Sequence, residues 1–130
     1  MNSSSVDIKA ILEYESSIGL VFGTNLFIGR EPAKPDNCVT IYDTPSYGPD
    51  LTMDKQSYER PSIQIRVRNE NYVAGWTMIQ HIMDHLHGRA QETWNGTLYS
   101  LIACSGGPAL LDWDENNRVR FILNLNLQRR

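Results

Sequence analysis

The sequence predicts an α+β fold: a two-layer α/β sandwich in which a mostly antiparallel or mixed sheet carries helices packed on one face. Three observations lead there. Segments 63–67 and 119–127 alternate apolar and polar residues with a period of two. Segment 70–88 repeats apolar residues at helical spacing. Turn signals at Asn95-Gly96 and Asp114-Glu115-Asn116-Asn117 sit between the later strands, which favours antiparallel pairing. A chain of 130 residues makes one domain, 1–130, with one core and no internal repeat.

The elements follow in order. "SSSVDIKAILEYESSIG" reads as a short helix, capped by Ser4 or Ser5, with Asp7 at the positive end of its dipole and Gly19 ending it. Val6, Ile8, Ile11 and Leu12 form its apolar side. "NLFIGR" (25–30) and "NCVTIYD" (37–43) read as strands. Residues 44–59 hold Pro45, Gly48 and Pro49 and show no helical or strand period, so they read as a long loop; a loop of that length in a small domain points to function. "RPSIQIRVRN" (60–69) is the clearest strand, with Ile63, Ile65 and Val67 inward and Gln64, Arg66 and Arg68 outward. "ENYVAGWTMIQHIMDHLHG" (70–88) is the clearest helix, with a stripe of Tyr72, Trp76, Ile79, Ile82, Met83 and Leu86. Asn69 or Asn71 caps it, and Gly88 closes it. Three strands complete the chain: 96–105, 108–114 and 118–128. In the last, Val119, Phe121, Leu123, Leu125 and Leu127 point in.

Composition narrows the function. Twelve basic and fifteen acidic residues give a net charge of −3, which provides no global surface for gripping DNA. Cys38 and Cys104 read as free thiols in a reducing compartment. The N-terminus lacks a basic start followed by an apolar run, so no signal peptide is expected, and no window approaches the ~18 apolar residues of a membrane span.

Two motifs invite chemistry. "SGGP" at 105–108 matches the surroundings of the nucleophile in chymotrypsin-like proteases, but Cys104 stands where Asp is needed and the chain is too short for two β-barrels. It reads instead as a turn between two strands, with Gly106 and Gly107 at positive φ and Pro108 opening the next strand. His81 and His85, at i and i+4, could hold zinc, but Ile82 and Asp84 miss both established helical patterns and no third ligand is visible. No phosphate loop or carboxylate dyad is present. The expected function is assembly, with no catalytic residues, no metal and no cofactor.

The ordered features from Val39 to the C-terminus carry a family resemblance. "VTIYDTPSYGPD", "ERPSIQIRVRNENYVAGWTMIQHIMDHLHG" and "WNGTLYSLIACSGGPALLDWDENNRVRFILNLNLQR" resemble the tail-terminator proteins of long-tailed bacteriophages, also called tail-completion or minor capsid proteins. A glycine at Asn117 would be more typical of that hairpin. The resemblance implies a subunit that forms a hexameric ring at the head-proximal end of the tail or neck. The ring stops growth of the tail tube and offers a surface to the head–tail connector protein. Its partners are copies of itself, the tail tube protein and the connector. Genomic DNA passes through the lumen without specific binding, and no membrane is involved. Such a particle is assembled in the host cytoplasm.

A ring of this kind needs two different complementary patches per subunit. The loop 44–59 offers Tyr47, Leu51, Met53 and Tyr58 as apolar anchors, while Asp50 and Asp54 could pair with Arg66 or Arg68 of a neighbour. The alternatives are another neck component, such as a head-completion or adaptor protein, and a metal-dependent hydrolase built on His81 and His85.

Overall fold

A computed structural model describes residues 2–46, 50–51 and 57–129. Ten elements follow one another: α1 (Ser4–Tyr14), β1 (Leu26–Ile28), β2 (Cys38–Thr44), β3 (Asp50–Leu51), β4 (Ser57–Tyr58), β5 (Ser62–Asn69), α2 (Tyr72–Leu86), β6 (Glu92–Trp94), β7 (Thr97–Trp113) and β8 (Val119–Arg129). Six strands form one mixed sheet in the order β1-β2-β5-β8-β7-β6; β3 and β4 form a separate antiparallel ribbon. Only the β1–β2 pair is parallel among these strands. The class is therefore α+β.

The period-two segments pair in register, Ile63 opposite Leu125, Ile65 opposite Leu123 and Val67 opposite Phe121. Opposite residues project to the same side, so these rows form one apolar surface. Ile8, Ile11 and Leu12 of α1 and Ile79, Ile82 and Leu86 of α2 join the same buried cluster. The last strand in sequence, β8, thus lies in the interior of the sheet, between β5 and β7.

The helices differ in detail from the sequence expectation. Ser3, not Ser4 or Ser5, is the N-cap of α1, and its side chain makes no capping bond. Ser4 and Ser5 are buried in the first turn. The cap comes from elsewhere in the fold: the Ser5 N–H donates to Asp43 Oδ1 at 3.2 Å. The helix stops at Tyr14, before Gly19, because Glu15 turns extended and its carboxylate accepts from the Ser17 N–H (3.3 Å) and hydroxyl (2.9 Å).

In α2, Asn71 caps as expected, accepting from the Ala74 N–H at 2.9 Å. The buried stripe is rotated to Gly75, Ile79, Ile82 and Leu86; Tyr72 and Trp76 stay exposed and Met83 is half-buried. Gly75 is the reason. Its missing side chain lets the buried Phe121 ring sit against the helix, and Tyr72 and Trp76 flank that ring edge-on, with centroids 5.1 and 5.5 Å away.

The expected turn at Ser105-Gly106-Gly107 is not a turn, and neither glycine takes a positive φ. Residues 97–113 form one strand, β7, whose register against β8 shifts between Cys104 and Gly106 and again between Gly106 and Ala109. Glycine inside a strand accommodates such bulges as readily as it accommodates turns. Asn95-Gly96 does make a hairpin turn, with φ of 52° and 80°, but it joins β7 to β6, a strand not foreseen from sequence. The 114–118 hairpin is as expected, and Asn117 takes the left-handed conformation (φ 58°) in which asparagine can replace glycine.

Candidate assembly surface

Three surfaces stand out, and the first is the base of the 44–59 segment. β2 leads in through Thr44, and Glu59 leads out by pairing backbone to backbone with Arg129. Within the segment, β3 and β4 pair as Asp50 with Tyr58 and Leu51 with Ser57, so it is an arm with a ribbon in it rather than a structureless loop. Tyr47, Met53 and Asp54 lie outside the described residues. Beside the base is a cleft of about 550 Å³ lined by Pro45, Ser46, Arg60, Ser62, Asn126, Leu127 and Gln128.

The arm base is tied to α1. Arg129 Nε donates to Glu59 Oε2 (2.8 Å), and its Nη1 donates to the Asn2 carbonyl (2.8 Å) and the Tyr99 hydroxyl (3.2 Å). Behind it, the fully buried Asp7 accepts from the Tyr99 hydroxyl and from Asn95 Nδ2 (2.8 Å), with Arg129 Nη1 3.8 Å away. Asp7 is therefore a buried carboxyl group held by three partners rather than a dipole decoration. Burial, and the hydrogen bond to the Asp7 carboxylate, push the Tyr99 hydroxyl up to about 12.

The second surface is the polar sheet face. Its side chains satisfy one another. The Ser62 hydroxyl donates to Asn126, Gln64 to Asn124, and Arg66 Nε to Gln64 Oε1 at 2.8 Å. The Arg66 guanidinium lies 4.8 Å over the Tyr42 ring. Arg120 makes a two-pronged pair with Asp112 (2.6 and 2.7 Å), which holds that carboxyl below its ordinary range.

Arg68 differs from Arg66. It is buried at 2% exposure and donates to Glu31 Oε1 (3.0 Å) and to the carbonyls of Pro35 (2.7 Å) and Asp36 (3.1 Å). Arg118, also buried, reaches the Ala33 carbonyl at 2.7 Å and Asp114 Oδ2 at 2.7 Å. These arginines pin the connection between β1 and β2. Arg68 is thus occupied inside its own subunit, and Arg66 is the more accessible of the two candidate cations.

The third surface was not read from the sequence. Tyr72, Val73 and Trp76 on α2, and Leu110, Leu111 and Trp113 on β7, are exposed large apolar residues. Leu110 pairs with Phe121 and Trp113 with Val119, both inward-facing, so this row of β7 lies on the side that α2 covers. The alternation that marks a half-buried strand hid this surface: its residues look like core in sequence, and β7 simply outruns the helix meant to cover it.

The chemical motifs find no machinery. His87 Nδ1 accepts from the Cys104 N–H at 3.0 Å, which places an imidazole one residue from Ser105 but spends that nitrogen on a backbone bulge. Arg89 Nη2 stands 3.0 Å from His85 Nε2, and burial together with the Arg89 charge lowers the His85 pKa. No group of three or more His, Cys, Asp or Glu among the described residues could hold a metal. No helix among them is long and apolar enough to cross a membrane.

Comparison with known proteins decides the family. The model of the bacteriophage tail terminator protein family matches residues 8–130. The chain belongs to the bacteriophage tail terminator family. This terminator is accordingly a structural protein of the virion tail and neck, not an enzyme. A chain from the solved structure titled "Virion of native gene transfer agent (GTA) particle" shares its fold, with a TM-score of 0.67 at 10% identity over 96% of this chain and 92% of that one. No curated protein sequence matches it.

Proposed function

We propose that this terminator forms a hexameric ring as a single-domain subunit, caps the head-proximal end of the tail tube, and presents a surface to the head connector. The observation that carries the reading is the pairing of an arm at one end of the sheet with an uncovered apolar surface at the other. A closed ring requires two different, complementary patches on each subunit. Both helices contribute to the same core cluster as the inward sheet rows, which supports the two-layer arrangement and leaves the opposite polar face available to a lumen or partner. Net charge of −3 suits a lumen that lets DNA pass without holding it.

The arm residues Tyr47, Asp50, Leu51, Met53, Asp54 and Tyr58 are the proposed docking set, with Arg66 as the accessible cation and Arg68 in a supporting place beneath. Deletion of 46–57 tests it. The core strands β2 and β5 pair from Thr44–Ser62 inward without the arm, so circular dichroism should report a folded chain. Ring formation should be lost, and tails assembled with the variant should be overlong or fail to join heads. A variant that still caps tails of normal length would remove the arm from the account.

A further inference from the structure

We infer that the outer edge of β7, residues 105–113, is the acceptor for the arm of a neighbouring copy, which adds to it as an extra strand. The inference rests on the proposed ring and names the surface the arm engages.

Four observations carry it. First, β6 pairs only with Thr97–Tyr99, and one further bridge joins Arg89 to Ile102; beyond that no strand covers the outer edge of β7 among the described residues. An uncovered edge offers backbone groups to any incoming strand. Second, the edge is open to approach: Ser105, Gly106, Gly107, Ala109, Leu110, Leu111 and Trp113 are exposed, and nothing lies within 4 Å of where a Cβ would stand on Gly106 or Gly107. Third, the edge borders an apolar surface. Tyr72, Val73, Trp76, Leu110 and Trp113 together expose roughly 500 Å² of side chain, near the upper end for a monomer's largest patch. A stable interface takes ~800 Å² from each partner, so this patch supplies more than half of one side and the added strand ladder supplies the rest. Fourth, the arm has the matching pattern. From β3 onward the sequence reads Asp50, Leu51, Thr52, Met53, Asp54, a period-two alternation of polar and apolar residue types.

The geometry also favours a neighbour's edge over the arm's own. The arm leaves the sheet beside Ser62 and Asn126, while the acceptor edge runs from Gly106, beside Asn124, to Trp113, beside Val119. Its apolar far end is ~23 Å from the arm's exit along β8, at ~3.3 Å per residue. Twelve residues, 46–57, span ~20 Å at most as a doubled strand. An arm therefore falls short of the apolar tip of its own edge. An arm at one end of the sheet and an apolar tip at the other suit a head-to-tail contact, the kind that closes into rings.

The test uses two variants of the full chain: the arm deletion 46–57, and Leu111→Lys, which sets a charge on an exposed edge position. Each is checked for folding by circular dichroism and sized by light scattering, alone and mixed. Leu111→Lys alone should weaken ring association at least about tenfold. The mixture should stop at dimers, because only one intact arm and one intact edge remain per pair. As a second readout, Leu51→Cys on one chain and Gly107→Cys on another, in a Cys104→Ala background, should give interchain disulfides. If the arm deletion still forms rings, or wild type stays monomeric at millimolar concentration, the arm reading fails. If the deletion abolishes rings while Leu111→Lys forms them normally and no disulfide links positions 51 and 107 of the paired variants, the arm reading stands and the β7 acceptor is overturned.

Discussion

Gly75→Ala should destabilise the protein although it improves helix propensity. Alanine in the interior of α2 gains about 1 kcal/mol over glycine. Against that, its methyl group would stand 3.0 and 3.2 Å from two carbons of the Phe121 ring and 3.2 Å from Asn69 Cβ. The ring has little room to retreat: Phe121 is fully buried and flanked by Tyr72 and Trp76. Overpacking of this kind costs about 1–3 kcal/mol, so the net loss should be about 1 kcal/mol. The assay is urea unfolding of four proteins: wild type, Gly75→Ala, Phe121→Leu and the double variant. Removing the ring removes the clash, so Gly75→Ala should be neutral or stabilising by up to about 1 kcal/mol in the Phe121→Leu background. The Asn69 contact is common to both backgrounds and cancels in the cycle, leaving a coupling of about 1–2 kcal/mol. Gly75→Ala stabilising by the same amount in both backgrounds would refute the packing argument.

Other outcomes follow from the buried polar cluster and the chemical motifs. Asp7→Ala should cost about 3–5 kcal/mol by leaving Arg129 and the Tyr99 hydroxyl without their buried partner, measured by denaturant unfolding. The Tyr99 hydroxyl is raised from an ordinary value of 10 to about 12, so its neutral form is the one the fold favours. Its contribution is complete below pH 10 and lost as pH rises toward 12, a drop of roughly 2–3 kcal/mol; Tyr99→Phe should flatten that alkaline limb, and an unchanged limb would discount the assignment. Ser105→Ala should leave the melting temperature unchanged, and a covalent serine-hydrolase probe should not label the chain.

Where a residue's neighbours along the chain determine its place, the sequence was legible. The alternation of β5 and β8, the Asn71 cap, the Asn95-Gly96 and 114–118 turns, and the apolar side of α1 all follow from local period and turn chemistry. The errors arise where distant chain decides. Ser105-Gly106-Gly107-Pro108 has turn composition, and only pairing with β8 makes it a bulged strand. Asp7 looks like a first-turn decoration until Tyr99, Asn95 and Arg129 converge on it from 88 and more residues away. Arg68 and Arg66 look equivalent two residues apart, yet the β1–β2 connection folds over one and not the other. Length and proline content locate the arm but carry no sign of its ribbon. The apolar tip of β7 and α2 was invisible because exposure of an apolar residue leaves no mark in local sequence.

Tail length in particles assembled without this chain tests the central claim most directly. If the chain terminates the tail, electron micrographs should show tubes of variable, excessive length detached from filled heads, and adding the purified protein to tails of finished length should restore joining. Tails of uniform normal length joined to heads in its absence would contradict the account.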